Sequence, residues 1–357
     1  MRFPTRMLIA LLGVLALVAA ACGDGDDASV GTAAAAQDAP TVVVTTNILG
    51  DVVTNLVGDQ MNVETIMPVG ADPHDFQPSA QQVATIGDAA VLITNGAAFE
   101  EGLLDVIESA EGDGVPVYEA ISAVGTIEFG EGGHDHEDDE HDHADEEHEG
   151  EDHADEGEHD HEDEEHGDDD HEDEHGHDHD GDDPHFFTDP ARMAVAADGI
   201  ADFLIAEVDG IDAEALRASA DAYIAELEAL DQAVADTLSE LTEDQRVLIT
   251  NHEVFGYFAD RYDFEVVGTV IPAGSTVDGA SAQALAELAE LIEAEGVPAI
   301  FADTSSSDEL AQTLASEVGD VDVIELFSES LGDEDSEGAT YIDMVRTNAD
   351  RIAAALG

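Results

Sequence analysis

The 357-residue chain has no lysine and no tryptophan, and it has one cysteine. Its eight basic residues, all arginines, face 87 aspartates and glutamates, for a formal charge of −79. Nucleic-acid binding needs clustered cations that neutralise phosphates and release counterions, so this charge balance excludes it. One cysteine allows no internal disulfide, and an exported fold of this sequence has to rest on its own core. Aromatic residues are scarce at 5%, yet the hydrophobic fraction of 43% exceeds what a wholly disordered chain carries. The acid must therefore be unevenly spread over a foldable body, whose length suggests two domains.

The spread is indeed uneven. Residues 131–183 hold 31 acids and 13 of the 16 histidines, without a single arginine. Such a segment cannot bury a core, so a disordered loop is expected there. Units such as His134-Asp-His136, His141-Asp-His143, His159-Asp-His161 and His175-Gly-His177-Asp-His179 have the composition of a weak, multivalent zinc collector or sensor. The rest of the chain still carries 56 acids against eight arginines. That excess reads as an acidic surface of the kind tolerated where high ionic strength screens self-repulsion.

At the N-terminus, Arg2 and Arg6 precede an apolar run from Met7 to Ala21, too short to span a bilayer comfortably. Residues 1–21 read as an export signal. Ala19-Ala20-Ala21 would suit ordinary cleavage and leave Cys22 incidental. A lone thiol in an exported protein points instead to lipidation of Cys22, and the run resembles a bacterial lipoprotein signal, with Ala19 where leucine is usual. Residues 22–40, rich in Gly, Asp and Ala, read as a flexible tether.

From Thr41 the pattern becomes strand–helix alternation. Val42–Thr45, Val91–Thr94 and Val115–Tyr118 read as strands, with helical spacing over 50–58 and 79–87. The alternation returns at Val247–Thr250, Glu265–Val270, Ala299–Ala302 and Val321–Leu326, with a Ser281-capped helix stopped by Gly296 and Pro298. This predicts an α/β fold of two domains, 41–211 and 242–357, with mainly parallel sheets. Between them, residues 212–241 carry Leu216, Tyr223 and Leu230, and likewise Ala220, Leu227, Val234 and Leu241, every seven residues. One long rigid helix lying against both domains is expected. A coiled-coil partner is the alternative, but the nearly all-acidic flanks lack a zipper's opposite charges, so a monomer is expected.

Outside the acidic segment only His74, His185 and His252 remain, each at an element junction. Junction histidines most often cap or pack, but three together with no others in the folded body point to a ligand site. Their separations of 111 and 67 residues exclude a local finger, which implies a site built from both domains.

These settings carry a resemblance. Gly70-x-x-Pro73-His74-x-Phe76-x-Pro78, Asn95-Gly96 with Phe99-Glu100, Asp183-Pro184-His185-Phe186 and His252-x-x-Phe255-x-Tyr257-Phe258 resemble the cluster A-I metal-binding proteins of bacterial ABC importers, over nearly all of residues 41–357. The resemblance implies two α/β domains joined by one long helix, with His74, His185 and His252 as metal ligands. Its fourth ligand is usually an aspartate before the C-terminal helix. Glu329 stands there, with Asp303 as the second candidate, and Phe187 stands where relatives usually have tryptophan.

Three imidazoles and a carboxylate favour Zn²⁺ over Mn²⁺, and manganese-selective relatives have glutamate at the His252 position. Because the imidazoles must be neutral, binding is expected to weaken as pH falls towards and below about 6.5. The implied partners are an ABC permease and its ATPase, with the membrane reached through a lipid anchor at Cys22. The implied location is the outer face of the cell membrane, or the periplasm without the anchor. A zinc hydrolase is the competing class, disfavoured by the fourth carboxylate and by the absence of a His-Glu-x-x-His motif. A metal-dependent adhesin or chaperone role is a third.

Overall fold

Val42, Val43 and Val44 are fully buried, as a strand covered on both sides of a parallel sheet must be. The computed structural model describes residues 39–129, 181–271, 274–276 and 279–357. The export signal, most of the tether with Cys22, and nearly all of the acidic segment lie outside these residues.

The first lobe contains β1 (Thr41–Val44), α1 (Asn47–Val57), β2 (Asn62–Thr65), α2 (Ala80–Gly87), β3 (Val91–Thr94), α3 (Leu104–Gly112) and β4 (Val117–Glu119), followed after the acidic segment by α4 (Pro190–Glu207). Then come α5 (Ala213–Leu238), β5 (Val247–Thr250), α6 (Gly256–Tyr262), β6 (Glu265–Thr269), α7 (Ala282–Glu295), β7 (Ala299–Asp303), α8 (Glu309–Val318), β8 (Asp322–Leu326) and α9 (Tyr341–Leu356). The sheets have the same order, β2-β1-β3-β4 and β6-β5-β7-β8, and every pairing is parallel. The expected α/β architecture is therefore present.

Local chemistry explains where elements begin and end. Thr46 accepts a hydrogen bond from Leu49 N–H, so α1 starts three residues before the predicted 50–58. Ser79 and Gln82 form a capping box that opens α2. Ser281 caps α7 as expected, and Gly296 closes it at φ 66°.

The sequence reading placed none of β2, α3, α4, α6 and α8, and two of these show why. The edge strand β2 has the sequence Asn-Val-Glu-Thr, without an apolar run, and is largely exposed. Helix α4 begins at Asp189-Pro190, where the aspartate accepts from Ala191 and Arg192 N–H and the proline sits at the first helical position. The predicted strand at 115–118 is displaced to 117–119, because Pro116 has no N–H and only its carbonyl joins the ladder, to Leu92 N–H.

Helix α5 has 26 residues and ends at Leu238 rather than near 241. Its buried side chains are Leu216, Ala220, Tyr223, Leu227, Leu230, Val234 and Leu238, so the predicted stripe is satisfied inside its own chain. One apolar cluster runs from Val42 and Leu49 through Leu227 to Phe301 and Leu326, joining both sheets across the helix. Smaller clusters fill the far side of each sheet. No helix among the described residues is long and apolar enough to cross a membrane.

Candidate metal centre

In both lobes the strand order reverses beside the first strand, and α/β folds place ligands in the crevice beyond the carboxyl ends of strands at such points. His74 lies in the loop after β2, His252 directly after β5 and Glu329 after β8, while His185 lies in the turn before α4. All four are buried, and one donor atom from each lies within 4.8 Å of the others. Residues as far apart as 74 and 329 are thus brought into one cluster.

Two of the histidines are set by the same short sequence. In Asp72-Pro73-His74 and Asp183-Pro184-His185, the aspartate Oδ1 accepts the histidine backbone N–H at 2.9 Å in each case. These turns aim the rings inward. Asp183 Oδ1 also accepts from His185 Nδ1 at 2.7 Å, and Glu101 Oε1 accepts from His74 Nδ1 at 3.1 Å. With Nδ1 donating outward, Nε2 of each ring faces the centre, the arrangement by which carboxylates orient histidine ligands. His252 is held through its backbone, where Thr250 Oγ1 donates to the His252 carbonyl at 2.7 Å, and its Nδ1 has no hydrogen-bond partner among the described residues.

Glu329 Oε1 stands 2.8, 3.1 and 3.4 Å from Nε2 of His74, His252 and His185. Ligand atoms about 2.0 Å from a tetrahedral ion lie roughly 3.3 Å apart, so this spacing suits one cation. The wall is apolar. Phe99 packs edge-on against His74 and His185 with centroids 5.3 and 5.5 Å apart, and Phe187 lies 5.9 Å from His185.

The Phe99 wall depends on an unusual turn: Gly96, Ala97 and Ala98 have φ of 90°, 50° and 57°. A Cβ on Gly96 would meet Ile121 and Glu119 as well as an unfavourable φ. The turn is held by Glu100, whose Oε1 accepts from Thr45 Oγ1 at 2.5 Å and from Asn95 N–H at 2.6 Å. Burial raises the Glu100 pKa, with these hydrogen bonds opposing it.

The centre is strongly polarised. Burial alone would lower the pKa of His74, but the Glu329 charge, hydrogen bonds to Glu101 and Glu329, and Asp72 raise it to about 10. Burial likewise opposes His185, and Asp183 and Glu329 outweigh it to raise its pKa. Burial would raise Glu329, yet the charges of His252 and His74 and its hydrogen bonds hold it well below the carboxylate range.

Asp303 takes a different place. Its two oxygens accept from Ser305 N–H at 2.8 Å and Ser305 Oγ at 2.7 Å, and it does not join the four-donor group. Burial and the Glu329 charge push its pKa up to about 6. The loop histidines His134, His136, His141, His143, His159, His161, His175, His177 and His179 lie outside the described residues. Asp183 and Glu101 were missed as partners of the site in the sequence reading. The repeated Asp-Pro-His was a visible signal for the first, whereas Glu101 reaches His74 only through the fold.

Replacing Asp183 with asparagine should weaken metal binding by about 10–100-fold while preserving the helical content, because the amide cannot hold the ring as the carboxylate does. Chelator competition beside circular dichroism checks this, and unchanged affinity would contradict the assigned role.

Two parallel-sheet lobes packed on one helix, with a buried His₃–carboxylate cluster beyond their strands, define a two-domain metal-binding α/β protein. The chain belongs to the ZnuA family, described as zinc-uptake complex component A, periplasmic, whose model matches residues 42–355. It is similar to the manganese-binding lipoprotein MntA of Halalkalibacterium halodurans, 26% identical over 345 residues and covering 96% of each chain. It is also similar to the zinc-binding protein TroA of Treponema pallidum, 28% identical over 330 residues, covering 90% of this chain and 91% of that one. The solved structure of the periplasmic TroA superposes with a TM-score of 0.71 at 26% identity, covering 89% of this chain and 99% of that one.

Proposed function

We propose that the protein is the extracytoplasmic zinc-capturing component of an ABC importer, which binds Zn²⁺ between its lobes and delivers it to a membrane permease driven by an ATPase. The observation that carries this reading is the convergence of three buried imidazoles and one carboxylate on a single point. Nitrogen donors suit zinc, whereas manganese prefers a site richer in oxygen. The family's description as a zinc-uptake component and the zinc-binding relative support the same metal.

Manganese is the second reading, favoured by the manganese-binding relative that matches at full length. Nothing in the capture-and-release cycle requires turnover, so no catalytic step is assigned. The protein works as a monomer anchored through a lipid on Cys22, with residues 131–183 as a weak collector or sensor of zinc. The domain limits are 41–211 and 242–357, with 212–241 joining them. A metal-dependent adhesive role would use the same loaded form.

Equilibrium dialysis of the metal-free protein against zinc and manganese together tests the metal. Zinc should occupy one tight site and exclude manganese; manganese binding as tight as zinc would overturn the zinc assignment.

A further inference from the structure

Glu329 belongs by chain connectivity to the second lobe, three residues beyond β8. The residues that follow it are nevertheless fastened to the first lobe. Ser330 Oγ accepts from Asn47 Nδ2 at 3.0 Å and from Gly70 N–H at 2.7 Å, and donates to Leu331 O at 3.0 Å. Asn47 Oδ1 accepts from Leu331 N–H at 2.7 Å, and its Nδ2 also reaches Pro68 O at 3.2 Å. Asn47 is 8% exposed and Ser330 1%, so water competes little for these bonds.

The anchoring continues along the chain. Tyr341 at the start of α9 donates its N–H to Asp51 of α1 at 3.0 Å and its hydroxyl to the Phe187 carbonyl at 2.8 Å. His252 has the opposite allegiance. Its carbonyl accepts from Thr250 and Val254, and its neighbour Asn251 donates to Ser306 Oγ at 2.9 Å, all within the second lobe, while the first link back to the other lobe is five residues on, where Tyr257 Oη donates to the Asp183 carbonyl at 2.6 Å.

We propose that Asn47 is a positioning residue for Glu329, holding the carboxylate on the first lobe beside His74 and His185. The site then divides three donors to one when the lobes part, with His252 alone carried away. The inference rests on the metal reading above. Its physical basis is that a side-chain amide bonded at both ends to consecutive residues fixes the backbone from which Glu329 projects. Without it, Glu329 has to find the ion from a loop held on one side at Phe327, where Asn348 donates to the Phe327 carbonyl and accepts from its N–H, and on the other by the single Gly70 N–H bond to Ser330 Oγ.

The test uses the full chain with Asn47→Ala and, separately, Ser330→Ala, which removes only a hydroxyl and keeps the question open should the first variant fold poorly. Zinc affinity is read by chelator competition and the coordination by the visible spectrum of the Co²⁺-loaded protein. Both variants should lose about 10–100-fold in affinity, as outer partners of metal ligands do, and their cobalt bands should fade as water replaces the carboxylate. In a Glu329→Ala background, Asn47→Ala should add little further loss.

Amide exchange completes the test, because Leu331 and Gly70 should stay protected after zinc is stripped. Unchanged affinity and spectrum in both variants, or a full additional loss in the Glu329→Ala background, would overturn the positioning role. Loss of Leu331 protection on metal removal would overturn the three-to-one division. Wild-type protein that takes up neither zinc nor cobalt would overturn the metal reading and this inference with it.

Discussion

Alanine in place of His185 is expected to lower zinc affinity by a few hundred-fold. Structural zinc sites bind with about 10–16 kcal/mol, so an equal share among four ligands is roughly 2.5–4 kcal/mol each. His185 should lose at least that share, because it is fully buried among Phe99, Phe187 and Glu329, where a water that replaced the ring would find few partners. Removal of the ring also leaves the buried Asp183 without its acceptor role towards Nδ1. Competition with a chromophoric chelator measures the effect, and circular dichroism reports whether the fold survives. A loss smaller than about tenfold would show that His185 is not a ligand.

Raising the pH from 6 to 8 is expected to strengthen zinc binding by about 10²- to 10⁴-fold. His74 has its pKa raised to about 10, so the metal-free centre holds its proton through neutrality, and His185 holds a proton more tightly than a free imidazole does. Zinc needs unprotonated nitrogens, and each proton displaced changes the apparent affinity about tenfold per pH unit. Glu329, held well below the usual carboxylate range, contributes no proton in this window.

The window therefore lies higher than the value near 6.5 of a free imidazole suggests. It extends up to about 10 for His74, because the carboxylates that orient the rings also stabilise their protonated form. Proton release on zinc addition at pH 7, followed with an indicator dye in weak buffer, should show one to two protons per ion. An affinity independent of pH across this range would contradict the assignment.

The same metal-free protein carries a matching stability term. The raised pKa of His74 means that its protonated pair with Glu329 stabilises the fold below the unfolded value near 6.5 and loses that contribution as pH rises towards about 10. Zinc replaces the proton in this role, so loaded protein should be less sensitive to alkaline pH than metal-free protein.

Much of the architecture was legible because burial leaves a periodic trace. The Val42–Val44 run and the seven-residue spacing from Leu216 to Val234 mark surfaces that water cannot reach, and the fold buries those residues. Strand β2 left no such trace because an edge strand with Asn62, Glu64 and Thr65 exposed needs hydrogen bonding more than apolar side chains. The histidines stood out for a different reason: outside the acidic segment they are rare, and rarity made three of them conspicuous.

By itself, the sequence determined the α/β class, the strut-like helix and the prominence of three histidines, since each is written in local spacing or composition, while Glu329 and Asp303 stood as candidates only through the family resemblance. The tertiary structure alone decided which carboxylate faces the centre. Glu329 turns to the three imidazoles, whereas Asp303 turns to Ser305. It also decided that Glu101 and Asp183 orient two of the rings, and that Asn47 reaches across 283 residues to Ser330. Such contacts join residues that share no local pattern, because they arise only when the packed fold brings loops of both lobes to one point.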